Sequence, residues 1–470
     1  MRLTLPIIGA RQVDRAFQVN AQRSVNWYPS LERDGAKSVL TLLPTPGLDK
    51  RVEFGNGPCR SDPVEFSGSL YWVSGGQLIR MTTAEVTTAV GSLGTTSGRC
   101  YLAAGRTYLM LVDGTDGYTW NGTTFATITD GDFPASPSYC GYLDGYFIAL
   151  AASSDVWQIS LYENPTSWDA LDFATAEAAP DSAVAVLTTY RDIYIVGSVT
   201  TQVYYNSGNP DFPFDLYANG AIEFGTPAPA SVAKAGGNIF MLAQTKAAGY
   251  TVLRINGFQA QRIADTDLAY TLSQMTTLSD AEGYAYIEAD QTFYVLTFPT
   301  EDVTFVYHME QAQWHERQSE GLGRHRSLGY GRFNGKHYVG DYQNAKLYSL
   351  NATKYTDDGQ TIRRVRSMGA VHRDGSQFEV NELEVEFKRG VGLTSGQGSE
   401  PQAMMRYSYD GGNGWSSELW QPIGPKGDYT RRAIWMRLGQ MNDFRVEIAV
   451  TDPVEAIIIA AYADVTVWTP

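Results

Sequence analysis

A strand unit recurs about seven times between residues 60 and 355 of this chain. Each unit holds an aromatic-rich apolar strand, a glycine turn and a second apolar strand. The aromatic anchors lie roughly 37 to 53 residues apart, at Tyr71-Trp72, Tyr108, Phe147, Tyr194, Phe240, Phe293-Tyr294 and Tyr338. Such a unit cannot bury its sheet face alone, so neighbouring units must stack around an axis. The spacing is that of propeller blades, and the sequence therefore predicts a β-propeller.

The turn residues support this prediction. Asn-Gly and Asp-Gly pairs favour the positive φ angles that two-residue hairpins require. They recur beside apolar strands, at Asn121-Gly122, Asp144-Gly145, Asn256-Gly257 and Asn334-Gly335. Seven hairpins are visible, but the ring has only six blades if the first hairpin pairs with the last. We therefore predict six or seven blades, and an irregular all-β sandwich with chance spacing is the alternative.

The sequence divides into four regions of an all-β fold. Residues 1–60 are rich in proline and lack periodicity, which indicates an extended N-terminal arm that gains its order by packing on something else. Residues 61–355 hold the propeller, and residues 356–375 form a linker or an outer blade strand. Residues 376–470 are predicted to form an antiparallel β-sandwich, because residues 378–387 alternate between apolar and acidic side chains.

Charge and cysteine content limit the function classes. The chain carries a formal net charge of −15, which is unfavourable for wrapping nucleic acid because the phosphate backbone demands a cationic surface. The N-terminal arm is instead basic, which favours a solvated or partner-facing arm over a DNA contact. The three cysteines, Cys59, Cys100 and Cys140, are predicted to be reduced and buried. We expect neither a signal peptide nor a membrane span.

No motif in the sequence reaches the standard of a catalytic signature. We find no nucleophile elbow, P-loop or zinc-protease motif, and the five histidines lack metal-ligand spacing. Residues 408–415 resemble the Asp box of sialidase-type propellers, with Gly414 in place of the usual threonine. That motif stabilises a turn and is structural. We therefore expect a protein that is not an enzyme, with no catalytic residues, no cofactor and no metal.

Several short phrases resemble a known family. They are Ser24–Pro29, Leu43–Lys50, Gln313–Arg317, Gly335–Asp341, Arg431–Gly439, Phe444–Val446 and Thr451–Val454. In order and content they resemble the tail-hub or nozzle proteins of short-tailed bacteriophages, also called packaged-DNA-stabilisation proteins. The resemblance spans most of the chain, although the middle blades match in pattern only.

The resemblance implies a structural virion protein in the phage tail, made in the cytoplasm of the bacterial host. Its implied partners are five further copies of itself in a hexameric ring, a portal-adaptor protein, a tailspike or fibre protein, a plug or needle protein, and double-stranded DNA that passes without sequence-specific binding. Such a ring extends the DNA channel below the portal and helps to retain packaged DNA. The alternative is a carbohydrate-binding or glycan-hydrolysing propeller for recognition of the host surface.

The N-terminal arm holds our candidate residues for contact with another subunit or the adaptor. They are Arg11, Arg15, Arg23, Asn26, Trp27 and Tyr28. The alternative for the arm is an intramolecular strand that closes a blade.

Overall fold

The computed structural model describes residues 1–9, 11–13, 21–31, 39–176, 181–245, 249–372 and 376–467. Residues 50–301 and 326–350 form one compact unit, here called the propeller unit. Residues 1–49, 302–325 and 351–470 form a second compact unit, here called the sandwich unit. Arg15 lies outside the described residues.

Seven short strands precede the first blade in the chain. They are β1 (Arg2–Thr4), β2 (Gln12–Val13), β3 (Ala21–Gln22), β4 (Ser24–Val25), β5 (Trp27–Leu31), β6 (Leu40–Pro44) and β7 (Gly47–Glu53). The first six belong to the sandwich unit, and β7 runs across the boundary after Asp49.

Five antiparallel sheets of four strands follow, and the strands of each sheet pair in chain order. Blade one holds β8 (Val64–Phe66), β9 (Ser69–Ser74), β10 (Gln77–Met81) and β11 (Thr87–Ser92). Blade two holds β12 (Tyr101–Ala104), β13 (Leu109–Val112), β14 (Gly117–Trp120) and β15 (Phe125–Thr127). Blade three holds β16 (Pro137–Leu143), β17 (Tyr146–Ala151), β18 (Val156–Leu161) and β19 (Asn164–Thr175).

The remaining blades continue this pattern. Blade four holds β20 (Ala183–Thr188), β21 (Asp192–Gly197), β22 (Thr201–Asn206) and β23 (Phe214–Ile222), and a 3-10 turn (Pro229–Ser231) follows. Blade five holds β24 (Ala233–Ala235), β25 (Asn238–Thr245), β26 (Gly249–Asn256) and β27 (Gln259–Arg262). Helix α1 (Thr266–Gln274) leads to the blade-six hairpin of β28 (Glu282–Glu288) and β29 (Gln291–Phe298). Strands β30 (Val303–His308) and β31 (Gln313–Glu316) come next in the chain and belong to the sandwich unit. Blade seven then holds β32 (Ser327–Phe333), β33 (Lys336–Asp341) and β34 (Lys346–Asn351).

The first strands of the seven blades contact one another in a closed ring. Strand β8 contacts β12, which contacts β16, which contacts β20. The 3-10 turn contacts both β20 and β28, and β24 also contacts β28. Strand β28 contacts β32, which returns to β8. The blade number is therefore seven, and the first hairpin starts its own blade instead of completing the last.

The predicted aromatic anchors lie in the cores of these blades. Trp72, Phe147, Tyr294 and Tyr338 are buried, and Tyr108 is partly buried. All three cysteines are buried with free thiols, as the sequence predicts, and burial raises the pKa of Cys59 to about 11. The all-β propeller is thus confirmed, and inner strands such as β9 are buried on both faces.

We expect Gly331→Ala to loosen the ring where blade seven meets blade one. A Cβ at Gly331 on β32 would overlap the carbonyl oxygen of Pro63, just before β8. Backbone at this point cannot shift without moving a strand, so we expect a loss of about 1–3 kcal/mol in unfolding free energy. Gly141→Ala on β16 is the matched control, since its Cβ would lie 3.4 Å from its nearest neighbour. Hydrogen exchange of β8 and β32 reports the difference, and equal protection in both variants would contradict it.

The last ten strands belong to the sandwich unit. They are β35 (Thr356–Asp357), β36 (Gln360–Thr361), β37 (Arg364–Ser367), β38 (Val371–His372), β39 (Phe378–Phe387), β40 (Gln402–Ser408), β41 (Leu419–Pro422), β42 (Ala433–Met441), β43 (Asp443–Val450) and β44 (Ile458–Val467). One sheet has the order β42-β39-β44-β6-β5, with β1 beside β44. The other runs β31-β4-β37-β43-β40-β41, with β38 beside β43.

The sandwich core includes residues from both ends of the chain. Trp27 and Leu42 pack in one cluster with Val380, Met405 and Ile448. The sandwich unit therefore includes strands of the N-terminal region, which the sequence analysis treats as a separate arm. Strand β4 pairs with β31 and β37, and β6 pairs with β44. The proline-rich sequence of the arm has no internal period, so its order comes from those distant strands.

Candidate functional site

The predicted contact residues of the arm lie along residues 11–28 of the sandwich unit. Arg11, Asn26 and Trp27 are buried, and Tyr28 is partly buried. The Arg23 side chain is 51% exposed. Strand β4 pairs in parallel with β31 through Val25 and Glu316, and antiparallel with β37. The described segment is thus paired inside its own unit, and its contact with another subunit or the adaptor stays a prediction.

Glu316 joins two of these arginines. Its Oε1 accepts a hydrogen bond of 2.9 Å from Arg11 Nε, and its Oε2 lies 2.7 Å from Arg23 Nη2. Burial alone would raise the pKa of Glu316, but Arg23 and Arg11 outweigh it and hold that pKa below its usual range. The buried carboxylate therefore stays ionised, and it fastens the N-terminal segment to β31.

Asn26 forms the bend between β4 and β5. Its φ of 56° is left-handed, a region that asparagine tolerates better than most residues. Its side-chain amide donates to the carbonyl oxygens of Gln318 and Arg363 at 2.9 and 2.8 Å, and its Oδ1 accepts from the Gln318 backbone nitrogen at 3.0 Å. The three bonds fix the bend against two neighbouring loops.

Tyr28 lies beside two buried histidines of the same unit. Its ring centroid is 5.7 Å from that of His308 and 5.6 Å from that of His315. Burial lowers the pKa of both histidines, and for His315 the neighbouring His308 and Arg317 lower it further. The pair is therefore neutral in the folded unit at neutral pH.

We expect this pair to destabilise the sandwich unit in mild acid. Below the unfolded value of about 6.5 the unfolded chain binds protons that the folded unit does not. Stability is therefore full above that value and falls with decreasing pH, by up to about 1.4 kcal/mol per pH unit for each histidine, until the folded pKa is reached. His315→Gln should reduce the slope of stability against pH in urea unfolding between about pH 6.5 and 5. An unchanged slope would contradict the assignment.

The residues that the sequence missed are the long-range partners. Glu316 lies in a phrase singled out only for its resemblance, and nothing local indicates a pairing across 305 positions. Arg364 and Arg366 are fully buried on β37, and burial lowers the pKa of each to about 10. Arg366 Nε donates to the Ile7 carbonyl oxygen at 2.6 Å. The run Arg363–Arg366 gives no local sign of this burial, because Arg364 and Arg366 are buried while Val365 between them is partly exposed.

The Asp-box-like turn follows β40, outside the blades. Asp410 Oδ1 accepts from Ser408 Oγ and from the Gly414 backbone nitrogen, each at 2.8 Å. The guanidinium of Arg406 lies 4.9 Å from the centre of the Trp415 ring. The motif is thus a self-bonded hairpin turn, in agreement with its structural interpretation.

A cavity of about 410 Å³ lies on the propeller axis, lined by first-strand residues of all seven blades. Tyr101 and Tyr139 stack there with ring centroids 3.7 Å apart. Asp62 also lines it and forms a 2.8 Å ion pair with Arg99. Burial lowers the pKa of Lys234, which donates to the Thr188 carbonyl oxygen at 2.5 Å. The volume is that of a small-molecule pocket.

Within the described ranges, no group of three or more His, Cys, Asp or Glu side chains is arranged to hold a metal ion. No helix in the described part of the chain is long and apolar enough to cross a membrane.

Two family models match the sequence and divide it into a propeller and a sandwich. The model described as "Bacteriophage P22 Gp10, beta-propeller" matches residues 3–355, and "Bacteriophage P22 Gp10, beta-sandwich" matches residues 363–466. The chain belongs to the bacteriophage P22 Gp10 family. It is therefore a structural protein of the phage tail, and the predicted family resemblance is confirmed. The first model begins at residue 3, so the Gp10 family pattern includes the N-terminal segment with the propeller.

Further comparisons involve curated proteins and solved structures. Comparison with curated proteins finds no match. Among solved structures, the Pan2 WD40 domain of Neurospora crassa is 8% identical, covers 66% of this chain and 96% of its own, and has a TM-score of 0.44. A catalytically inactive virginiamycin B lyase from Staphylococcus aureus is 9% identical, covers 65% of this chain and 98% of its own, and has a TM-score of 0.45. Assignment to the Gp10 family rests on the two sequence models.

Proposed function

We propose that this chain is the tail hub or nozzle subunit of a short-tailed phage, made in the bacterial cytoplasm and assembled as a homohexameric ring. The ring extends the DNA channel below the portal and its adaptor, helps to retain packaged DNA with a plug or needle protein, and anchors tailspikes or fibres. The observation that carries the proposal is the match to both Gp10 domains, over residues 3–355 and 363–466.

The size of the axial cavity bears on the path of the DNA. At about 410 Å³ it has room for a small molecule, not a duplex. In this proposal the DNA therefore passes between subunits, through the lumen of the ring. The net charge of −15 suits that role, because an acidic wall lets DNA slide where cationic contacts would hold it.

The lack of a catalytic signature in the sequence also supports a structural role. The Asp-box turn is self-bonded through Ser408 and Asp410, which supports a structural part for it as well. We propose no catalytic step.

Electron microscopy of the native particle, with symmetry left free, tests the proposal. We expect six propeller–sandwich subunits in a ring below the portal, with DNA density on the axis. A monomer, or a trimer at a fibre tip, would contradict the proposal and favour glycan recognition. Assay of the purified chain on host polysaccharide is the companion measurement, because release of reducing ends would indicate a hydrolase.

A further inference from the structure

We propose that adjacent copies of this chain join through two different surfaces, one on the propeller unit and one on the sandwich unit. The first surface is the turn end of blades three to six, here called the turn face. The second is the edge of the sandwich at β41 and β42, here called the sandwich edge. This assignment rests on the proposed ring and names the surfaces that would close it.

The turn face is unusually apolar for an exposed surface. In an antiparallel blade, the turn that joins strands one and two and the turn that joins strands three and four lie at the same end of the blade. At that end Tyr190 is 92% exposed, Tyr162 59%, Phe258 44% and Ile287 39%. Exposed apolar residues are ordinary when scattered, but a cluster marks an interaction site.

Contacts between blades make the turn face one surface. Asn206 of blade four donates to Asp144 of blade three at 3.0 Å. The ring centroids of Tyr217 and Phe258 lie 5.1 Å apart, which links blade four to blade five. Blades five and six also touch, because Gly236 of blade five lies against Ile287 of blade six. A Cβ built on Gly236 would be 3.0 Å from Ile287 Cδ1.

The turn face is also acidic. The carboxylates of Asp144, Asp211, Asp215 and Asp290 are exposed on its turns and strand ends. Exposed cations at this end include Arg191 and Lys234, fewer than the carboxylates. Two such faces would repel each other, so the face is unsuited to pairing with itself.

The sandwich edge has the opposite charge and a matching apolar character. Trp420 is 55% exposed, Tyr429 68% and Met436 65%. Lys426 and Arg437 are exposed among them. Tryptophan, tyrosine, methionine and arginine are the residues that interfaces favour.

Two unpaired strand edges meet at this surface. Among the described residues β41 pairs with β40 and β42 pairs with β39, so each has one edge without a partner strand. Trp435 Nε1 donates to the Leu419 carbonyl oxygen at 2.9 Å, which holds the two strands side by side. Proteins normally protect such edges with charges or bulges; here exposed Trp420 lies beside the edges together with Lys426 and Arg437.

An acidic aromatic face and a basic apolar edge complement each other but not themselves. The contact is therefore heterologous, with the turn face of one copy on the sandwich edge of the next. Repeated around an axis, such a contact closes a ring. The distribution of charge thus disfavours any contact that pairs the turn face with another turn face, or the sandwich edge with another sandwich edge.

Sedimentation velocity of paired variants tests this assignment. The face variant carries Tyr190→Ser and Asp215→Lys, and the edge variant carries Trp420→Ser and Lys426→Gln. We expect the wild type to form a ring and each variant alone to be monomeric. An equal mixture should form dimers that grow no further. The face variant keeps an intact sandwich edge and the edge variant keeps an intact turn face, so one contact between the two can form and no second one. These dimers would also show that both variants fold.

The control is Leu171→Ser on β19, 79% exposed and away from the turns, which should assemble as the wild type does. Normal rings from either variant, or a mixture that stays monomeric, would overturn the surface assignment while leaving the proposed function intact. A wild-type chain that is monomeric at every concentration would overturn the ring itself, and the surface assignment with it.

Discussion

Glu316→Gln is expected to cost about 3–5 kcal/mol of the unfolding free energy of the sandwich unit. Arg11 is only 6% exposed in its side chain and has Glu316 as its ion-pair partner at 2.9 Å. Removal of the carboxylate charge leaves the buried guanidinium of Arg11 without a counter-charge. The free-energy cost of that unpaired buried charge is larger than the net stabilisation that the ion pair provides. Hydrogen exchange of peptides across β4 and β31 measures the loss where it arises.

The matched control is Glu418→Gln, which removes an exposed partner of Arg363 at 2.9 Å. Exposed pairs contribute only about 0–1 kcal/mol, so this variant should leave exchange nearly unchanged. The double variant Arg11→Met with Glu316→Leu should recover most of the loss, since apolar replacement of a buried pair is often neutral. If Glu316→Gln costs no more than Glu418→Gln, the ion pair does not hold the segment.

Trp27→Ala is expected to destabilise the sandwich unit by about 3–5 kcal/mol. The side chain is fully buried in the sandwich core, and its Nε1 donates to the Ala456 carbonyl oxygen at 2.7 Å. The truncation leaves a cavity and an acceptor without its donor. Urea unfolding followed by hydrogen exchange of β5, β6 and β44 measures the effect.

Two controls separate the causes of that loss. Trp27→Phe keeps most of the packing and removes the hydrogen bond, so we expect a loss of about 1–3 kcal/mol. Trp420→Ala removes the same side chain from an exposed position and should have little effect on the monomer. A small loss for Trp27→Ala would show that the N-terminal segment is not needed for the sandwich, and would return it to the role of a free arm.

The sequence predicted what local patterns encode. The Asp144-Gly145 turn has the left-handed angles that hairpins need, with φ of 50° at Asp144 and 95° at Gly145. The alternation in residues 378–387 became β39, whose apolar side chains lie in the core. These features depend on neighbours close by in the chain, so they are visible without a structure.

The contact role predicted for the N-terminal arm stays a prediction. Six residues between positions 11 and 28 were singled out as contact residues, and the structure uses Arg11, Asn26 and Trp27 inside the sandwich unit. Of the predicted arginines that the structure describes there, Arg23 keeps a half-exposed side chain, and its contact with another subunit or the adaptor stays a prediction. Burial of a basic residue cannot be inferred from sequence when its counter-charge lies far away in the chain.

By itself the sequence determined the all-β class, the propeller followed by a sandwich, and the Gp10-like family, because strand period, turn residues and short phrases are local properties. Only the tertiary structure decided that the ring has seven blades, through the contact of β32 with β8. It also decided that β4 and β5 complete the sandwich, and that Glu316 holds Arg11. These outcomes depend on which distant strands meet, and such long-range pairing leaves no period in the chain.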